Sequence, residues 1–373
     1  MIKRIFIYFS LAVLSLASCK APRLTLTTAN NAAIAYHGRT QLNSENQVDL
    51  ITSAAFAEFQ FAGKMCTISL SNYAASDDYN YVVMELDNVY KGRVKVSSSK
   101  PTPFTITADN KNEWHQLRIY KATESQNGVV SVANVRASKL KSVPFVPLAR
   151  IEFIGNSITC GMGNDTKEIP CGNGSKWYDQ HNAYWSYATL VARELNADFM
   201  LSSISGSGIY RNWNSDSPTV PQQYESAYLR MDSTQKWDFS HYTPDIVSIA
   251  LGTNDLSTGD GTKPRLPFDS TRFVHTYIDF IKTIYNHYPN AQLVLLNSPM
   301  VKGDKNIILT RCLKAIQNEQ MISMPEKKAI KVFEFQAVTA TGCSGHPNKE
   351  EHALMARQLL PFMREVVASL VKP

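Results

Sequence analysis

Two hydrophobic rhythms divide the chain. Between residues 32 and 145 the apolar positions come in short runs, several alternating with polar ones and all broken by clusters of Gly, Asn, Asp and Ser. The pattern predicts strands at Ala55–Phe61, Cys66–Leu70, Tyr81–Leu86, Arg93–Val96, Phe104–Thr107 and Trp114–Tyr120, with no long helical period between them. Repeated short strands with frequent turns indicate a β-sandwich or jelly roll. The two prolines of Val143-Pro144-Phe145-Val146-Pro147 end this rhythm and mark a junction. From Ile151 strands alternate with helices. Strands are expected at Ile151–Ile154, Asp198–Ser202, Asp245–Leu251, Gln292–Asn297 and Lys331–Phe335. Asp245–Leu251 is a continuous apolar run of the kind buried on both faces. Helices are expected over Asn182–Leu195, over Thr271–Tyr288 with Ser270 as its N-cap, around Asn306–Gln320, and over Asn348–Val371, where Pro361 should kink or split the last one. This alternation means a parallel sheet covered by helices, a doubly wound α/β domain.

The length of 373 residues suits two domains, and 44% hydrophobic with 19% charged residues is enough for a real core. A net charge of +6 is modest, and no stretch interleaves Lys and Arg with aromatics, so nucleic acid is not an expected partner. The N-terminus reads as a targeting segment. Lys3 and Arg4 precede an apolar run from Ile5 to Leu16 that is too short for a permanent membrane span. Leu16-Ala17-Ser18-Cys19 then resembles the lipobox of a bacterial lipoprotein. That resemblance implies a signal peptide over 1–18, acylation of Cys19, a tether or opening strand over 19–31, and a folded part held on a membrane of the cell envelope. The sandwich would follow over 32–145 and the α/β domain over 146–373. Beyond Cys19 there are Cys66, Cys160, Cys171, Cys312 and Cys343, an odd number that leaves at least one unpaired. A bridge among Cys160, Cys171 and Cys343 is plausible in an oxidising compartment, and the pair is open. No C-x-x-C or H-x-x-x-H spacing supports a zinc site instead.

Candidate chemistry falls in four turns, each after an expected strand: Gly155-Asn156-Ser157, Ser205-Gly206-Ser207-Gly208, Gly252-Thr253-Asn254-Asp255 and His346-Pro347-Asn348. The carboxyl edge of an open α/β sheet is where ligands bind. A serine there is a nucleophile if a base is in reach, and His346 is the best-placed base. Acyl transfer also needs donors aimed at the developing oxyanion. Gly206 lets a backbone N–H approach, Asn254 offers a side-chain N–H, and the Ser157 N–H adds another.

Ser157, Gly206, Asn254 and His346 stand in the order and context of the four blocks of the SGNH, or GDSL-like, hydrolases. More closely, the chain resembles carbohydrate esterase family 2, on the segments Ile154–Gly161, Asn182–Tyr187, Ser205–Asn212 and Gly342–Pro347. The resemblance implies a β jelly roll before a flavodoxin-like three-layer α/β/α domain. It also implies Ser157 as nucleophile, His346 as general acid and base, and an oxyanion hole of Ser157 N–H, Gly206 N–H and Asn254. The substrate implied is an acetylated plant polysaccharide, xylan or glucomannan, with no metal and no cofactor; a monomer is expected.

Two positions depart from that family's pattern. The first block usually reads Gly-Asp-Ser, and here position 156 is Asn. An Asp usually stands three residues before the histidine, and here that residue is Cys343. A backbone carbonyl could hold the imidazole in place of a carboxylate, so a Ser–His dyad is expected. Aromatic faces can stack on sugar rings, and Trp213, Tyr210 and Trp177 lie beside the blocks, with Arg211 either bracing its loop or meeting substrate hydroxyls. The connection from Gly161 to His181 is long for a βα loop, as functional loops often are. The rival reading is a surface glycan-binding protein on the same fold with a decayed catalytic site, motivated by the missing Asp; an esterase of small or lipid esters is a third.

Overall fold

A computed structural model of the chain describes residues 24–370, apart from 76, 110–111, 173–174 and 232–233. The leader and Cys19 lie outside the described residues. The N-terminal domain is a sandwich of two antiparallel six-stranded sheets. Alternating residues of each sheet point inward, so Ile68, Leu70 and Val130 of one meet Phe59, Val82, Leu117 and Ile119 of the other in a shared core. The sheet begins earlier than residue 32: Thr25–Thr28, within the stretch read as tether or opening strand, pairs with Val129–Ala137. That partner lies in the middle of its sheet and was not anticipated. Its register shifts between Val132 and Asn134, so the inward residues Val130, Val132 and Val135 lose the spacing of two that marks a strand.

The second domain carries five parallel strands: β1 (Arg150–Gly155), β2 (Asp198–Ser203), β3 (Ile246–Ala250), β4 (Gln292–Leu296) and β5 (Lys331–Phe333). Their order is β2-β1-β3-β4-β5, so the direction of winding reverses between β1 and β3. Ile151 and Phe153 face one side, against the helices α2 (Tyr187–Glu194) and α5 (Lys349–Leu370). Ile154, Val247 and Ile249 face the other, against α3 (Ser270–His287) and α4 (Asp304–Ser323). A short helix, α1 (Ser157–Cys160), starts where β1 ends.

The helix boundaries differ from the sequence reading for local reasons. Ser186, not Asn182, starts α2: residues 183–185 form a 3-10 turn, and Ser186 Oγ accepts the Ala188 N–H. Asp269, not Ser270, caps α3, because its carboxylate accepts the Arg272 N–H at 2.9 Å. α5 passes through Pro361 unbroken. Pro361 and Arg357, whose carbonyl loses its usual partner, are both exposed to water.

The domains are locked together by polar groups inside an apolar contact. Phe56, Val83 and Tyr120 of the sandwich join the core over α2 and α5. The fully buried Arg39 donates to the Tyr224 and Ser226 carbonyls and lies 3.8 Å from Glu152 on β1. His37 Nδ1 is 2.8 Å from Asp198 on β2.

Candidate active site

The β1 strand delivers a serine to the point where the sheet reverses its winding. A side chain at Gly155 would come within 2.1 Å of Thr159 Oγ1, so the close turn needs glycine. Asn156 Oδ1 accepts the Ile158 N–H at 3.1 Å and caps α1. Asn and Asp are equivalent caps, which is why Asn156 can stand where related hydrolases usually carry Asp. Ser157 is the first residue of α1, so its N–H has no acceptor one turn back within the helix.

His346 arrives on the loop before α5. Its Nε2 lies 2.8 Å from Ser157 Oγ and its Nδ1 lies 3.0 Å from the Ser344 carbonyl. With Nδ1–H donating to that carbonyl, the Nε2 lone pair faces the serine hydroxyl, which donates to it. Ser344 adopts φ 54°, ψ 32°, the left-handed turn that folds its carbonyl back to the ring. Among the described residues no carboxylate is within hydrogen-bond reach of the His346 ring. Burial holds the imidazole below its ordinary pKa and His181 adds to the effect, while the Ser344 carbonyl pulls the other way. A neutral base results.

The loop bearing His346 is tied down on both sides. Gly342 N–H donates to the His346 carbonyl at 2.7 Å, and Cys343 N–H to the Gly163 carbonyl at 2.9 Å. Cys343 is disulfide-bonded to Cys171, which settles the pairing left open by the sequence; Cys160 is buried as a free thiol. Behind the histidine, Asn348 Oδ1 accepts the Glu351 N–H at 2.9 Å while Glu351 accepts the Asn348 N–H at 2.8 Å. This reciprocal cap fixes the start of α5.

Gly206, at φ +75°, and Asn254 sit across from the pair. The Asn254 amide donates to the Ser207 carbonyl at 2.8 Å and so joins the loops after β2 and β3. The buried Asp255 accepts the N–H groups of Ile209, Tyr210 and Arg211 at 3.0, 2.9 and 3.3 Å. Burial pushes its carboxyl up to about 6, against the pull of those N–H donors. Ser157, Gly206, Asn254 and His346 line one cavity of about 450 Å³, with Trp177 and Trp213 on its walls. Each tryptophan is 45% exposed, so much of its surface is not covered by the protein.

Tyr210 and Arg211 are not at this cavity. Asp255 turns their backbone inward, and the Tyr210 ring packs against Phe268 and Phe273 while its hydroxyl accepts the Asp269 N–H. Arg211 Nε donates to the Asp255 carbonyl and its Nη1 to the Leu266 carbonyl, so it braces the loop. Two residues from the other domain were missed. Gln126 lines the cavity and Glu124 lies buried beside it. No signal in the sequence points from the sandwich to the serine.

Residues 36–147 match the model of the carbohydrate esterase 2 N-terminal domain, and residues 153–354 match the GDSL-like lipase/acylhydrolase family. The chain is 26% identical over 345 residues to an acetylxylan esterase / glucomannan deacetylase of Cellvibrio japonicus, covering 91% of this chain and 90% of that protein. Among solved structures, a family two carbohydrate esterase from Clostridium thermocellum in complex with cellohexaose superposes with a TM-score of 0.78 at 26% identity, covering 90% of this chain and 99% of that one. A family two carbohydrate esterase from Cellvibrio japonicus has the same fold, with a TM-score of 0.80 at 22% identity over 94% of this chain and 99% of the other.

Proposed function

The chain belongs to the GDSL-like lipase/acylhydrolase family behind a carbohydrate esterase 2 N-terminal domain, and from this we propose a carbohydrate O-acetyl esterase that acts on acetylated xylan or glucomannan through Ser157 and His346. The observation that carries the reading is the imidazole held between Ser157 Oγ and the Ser344 carbonyl. His346 Nε2 takes the hydroxyl proton as Ser157 Oγ attacks the acetyl carbonyl. The Ser157 and Gly206 N–H groups and the Asn254 amide meet the oxyanion, and stabilising charge that appears only in the transition state is what raises the rate. Collapse breaks the bond to the sugar oxygen, which receives the proton from His346 Nε2 as the sugar leaves. Water, deprotonated by the same nitrogen, then attacks the acetyl-Ser157 ester, and the bond to Oγ breaks as His346 Nε2 returns that proton to Ser157 Oγ and acetate departs.

Trp177 and Trp213 are proposed to hold the glycan, since both line the cavity that holds the serine. A lipid on Cys19 would keep this monomeric enzyme at the cell envelope beside its polymer, and Cys19→Ser would release it to the soluble fraction. Cys343 in place of the usual Asp favours the decayed glycan-binding reading. The test is to trap an acetyl adduct on Ser157 with 4-nitrophenyl acetate, by rapid quench and peptide mass spectrometry. An adduct that is absent in Ser157→Ala supports the esterase; no adduct and no turnover supports the binding protein.

A further inference from the structure

The N-terminal domain reaches the groups around the reacting atoms. Its turn Ser125–Asn127 follows Glu124, whose side chain is fully buried under the cleft. Glu124 Oε2 accepts the Ser205 N–H at 2.8 Å, and its Oε1 lies 3.1 Å from His181 Nε2. Burial alone would raise this carboxyl, but the hydrogen bonds from His181 and Ser205 outweigh it and keep the group charged. The His181 ring in turn meets the Trp177 ring edge-on at 5.0 Å. Two residues further, Gln126 Nε2 donates to the Ser205 carbonyl at 3.0 Å. Below, the Lys121 ammonium donates to the Thr123 and Glu124 carbonyls and secures the turn.

These contacts act on the two peptide planes that flank Ser205. The Ser205 carbonyl and the Gly206 N–H belong to the same trans peptide and point in opposite directions. Pulling the carbonyl toward Gln126 therefore aims the Gly206 N–H away from it. Gly206 at φ +75° is free to take this orientation, and its N–H has no protein acceptor among the described residues. Glu124 holds the N–H of the preceding peptide plane, so the planes on both sides of the Ser205 Cα are fixed.

We propose that Glu124 and Gln126, supplied by the N-terminal domain, are positioning residues for the oxyanion hole: by holding the Ser205 N–H and carbonyl they aim the Gly206 N–H at the substrate carbonyl over Ser157. The inference rests on the esterase reading. It makes the sandwich part of the catalytic apparatus, beyond any role in gripping polymer.

The test is kcat and KM for 4-nitrophenyl acetate, a substrate too small to report on glycan binding, with the full chain. Wild type, Ser157→Ala, Glu124→Ala, Glu124→Gln and Gln126→Ala are compared, with cooperative thermal unfolding as the check on folding. Glu124→Ala lowers kcat by about a hundredfold, the low end of losing one oxyanion donor. Gln126→Ala lowers it by about tenfold, with KM within about twofold in both, as expected for an interaction realised in the transition state. Glu124→Gln restores most of the rate, because its amide oxygen still accepts from Ser205 while its NH₂ meets His181 in the other tautomer. Gln126 is exposed, so its alanine variant folds and decides the matter if Glu124→Ala does not. An active wild type with kcat unchanged in the folded variants, or a loss carried by KM alone, overturns this inference by itself. A wild type with no turnover overturns the esterase reading and this inference together.

Discussion

Cys343, three residues ahead of His346, is bonded to Cys171 in the long loop after α1. Related hydrolases usually carry an aspartate at that position to orient the histidine. Here a covalent strap fixes the loop, and the Ser344 carbonyl accepts the Nδ1–H hydrogen bond. Breaking the strap frees the base. Cys171→Ala is expected to lower kcat by up to about a hundredfold, the cost of displacing a catalytic group by an ångström. It also removes a cross-link between residues 172 apart in sequence. Chain-entropy arguments put that at up to about 5 kcal/mol of stability. Denaturation and kinetics with and without reductant check both.

The pH dependence follows from the environment of His346. The base works when neutral, and burial holds its pKa below the usual value of 6.5. The acid limb of kcat/KM for an acetyl ester should therefore lie below 6.5, with activity sustained through mildly acidic conditions. A limb centred at or above neutrality would contradict the neutral-base geometry.

The two tryptophans should separate polymer from small ester. Trp213→Ala and Trp177→Ala are expected to raise KM on acetylated polysaccharide by about tenfold each, the scale of losing one aromatic stack, while KM for 4-nitrophenyl acetate barely moves. Equal losses on both substrates would mean that the rings merely pack the loop roots.

Stability at alkaline pH tests the domain interface. Burial would lower the pKa of His37, but its hydrogen bond to Asp198 and the Glu58 carboxylate 3.6 Å from its Nε2 outweigh this and raise it to about 9. A raised folded-state pKa gives stability that is complete below 6.5, the unfolded value, and is lost as pH rises through about 9. The contribution is at most about 3 kcal/mol. The difference in urea midpoint between wild type and His37→Gln should be large at about pH 6 and nearly vanish at about pH 10.

The features legible in the sequence are those set by local pattern. Ser157, Gly206 and Asn254 each fall in the turn directly after an apolar strand, so the strand announces the residue, while His346 stands just ahead of the last helix, well past the end of β5. Tyr210 misled because adjacency to Gly206 suggested the cleft, and of the two alternatives for Arg211 the structure shows the bracing one. Their direction is set by Asp255, distant in sequence, which gathers three N–H groups and turns both side chains inward. The Cys171–Cys343 bond and the approach of Glu124 to Ser205 likewise depend on how separate loops meet, which no local period encodes. Val129–Ala137 was hidden for a smaller reason, the bulge that breaks its alternation.

The most direct test of the central claim is acetate release from acetylated xylan and acetylated glucomannan, wild type beside Ser157→Ala. The account predicts release by the wild type and a fall on the order of a millionfold, or to background, in the variant. Release that persists in Ser157→Ala, or none from either glycan by the wild type, would contradict it.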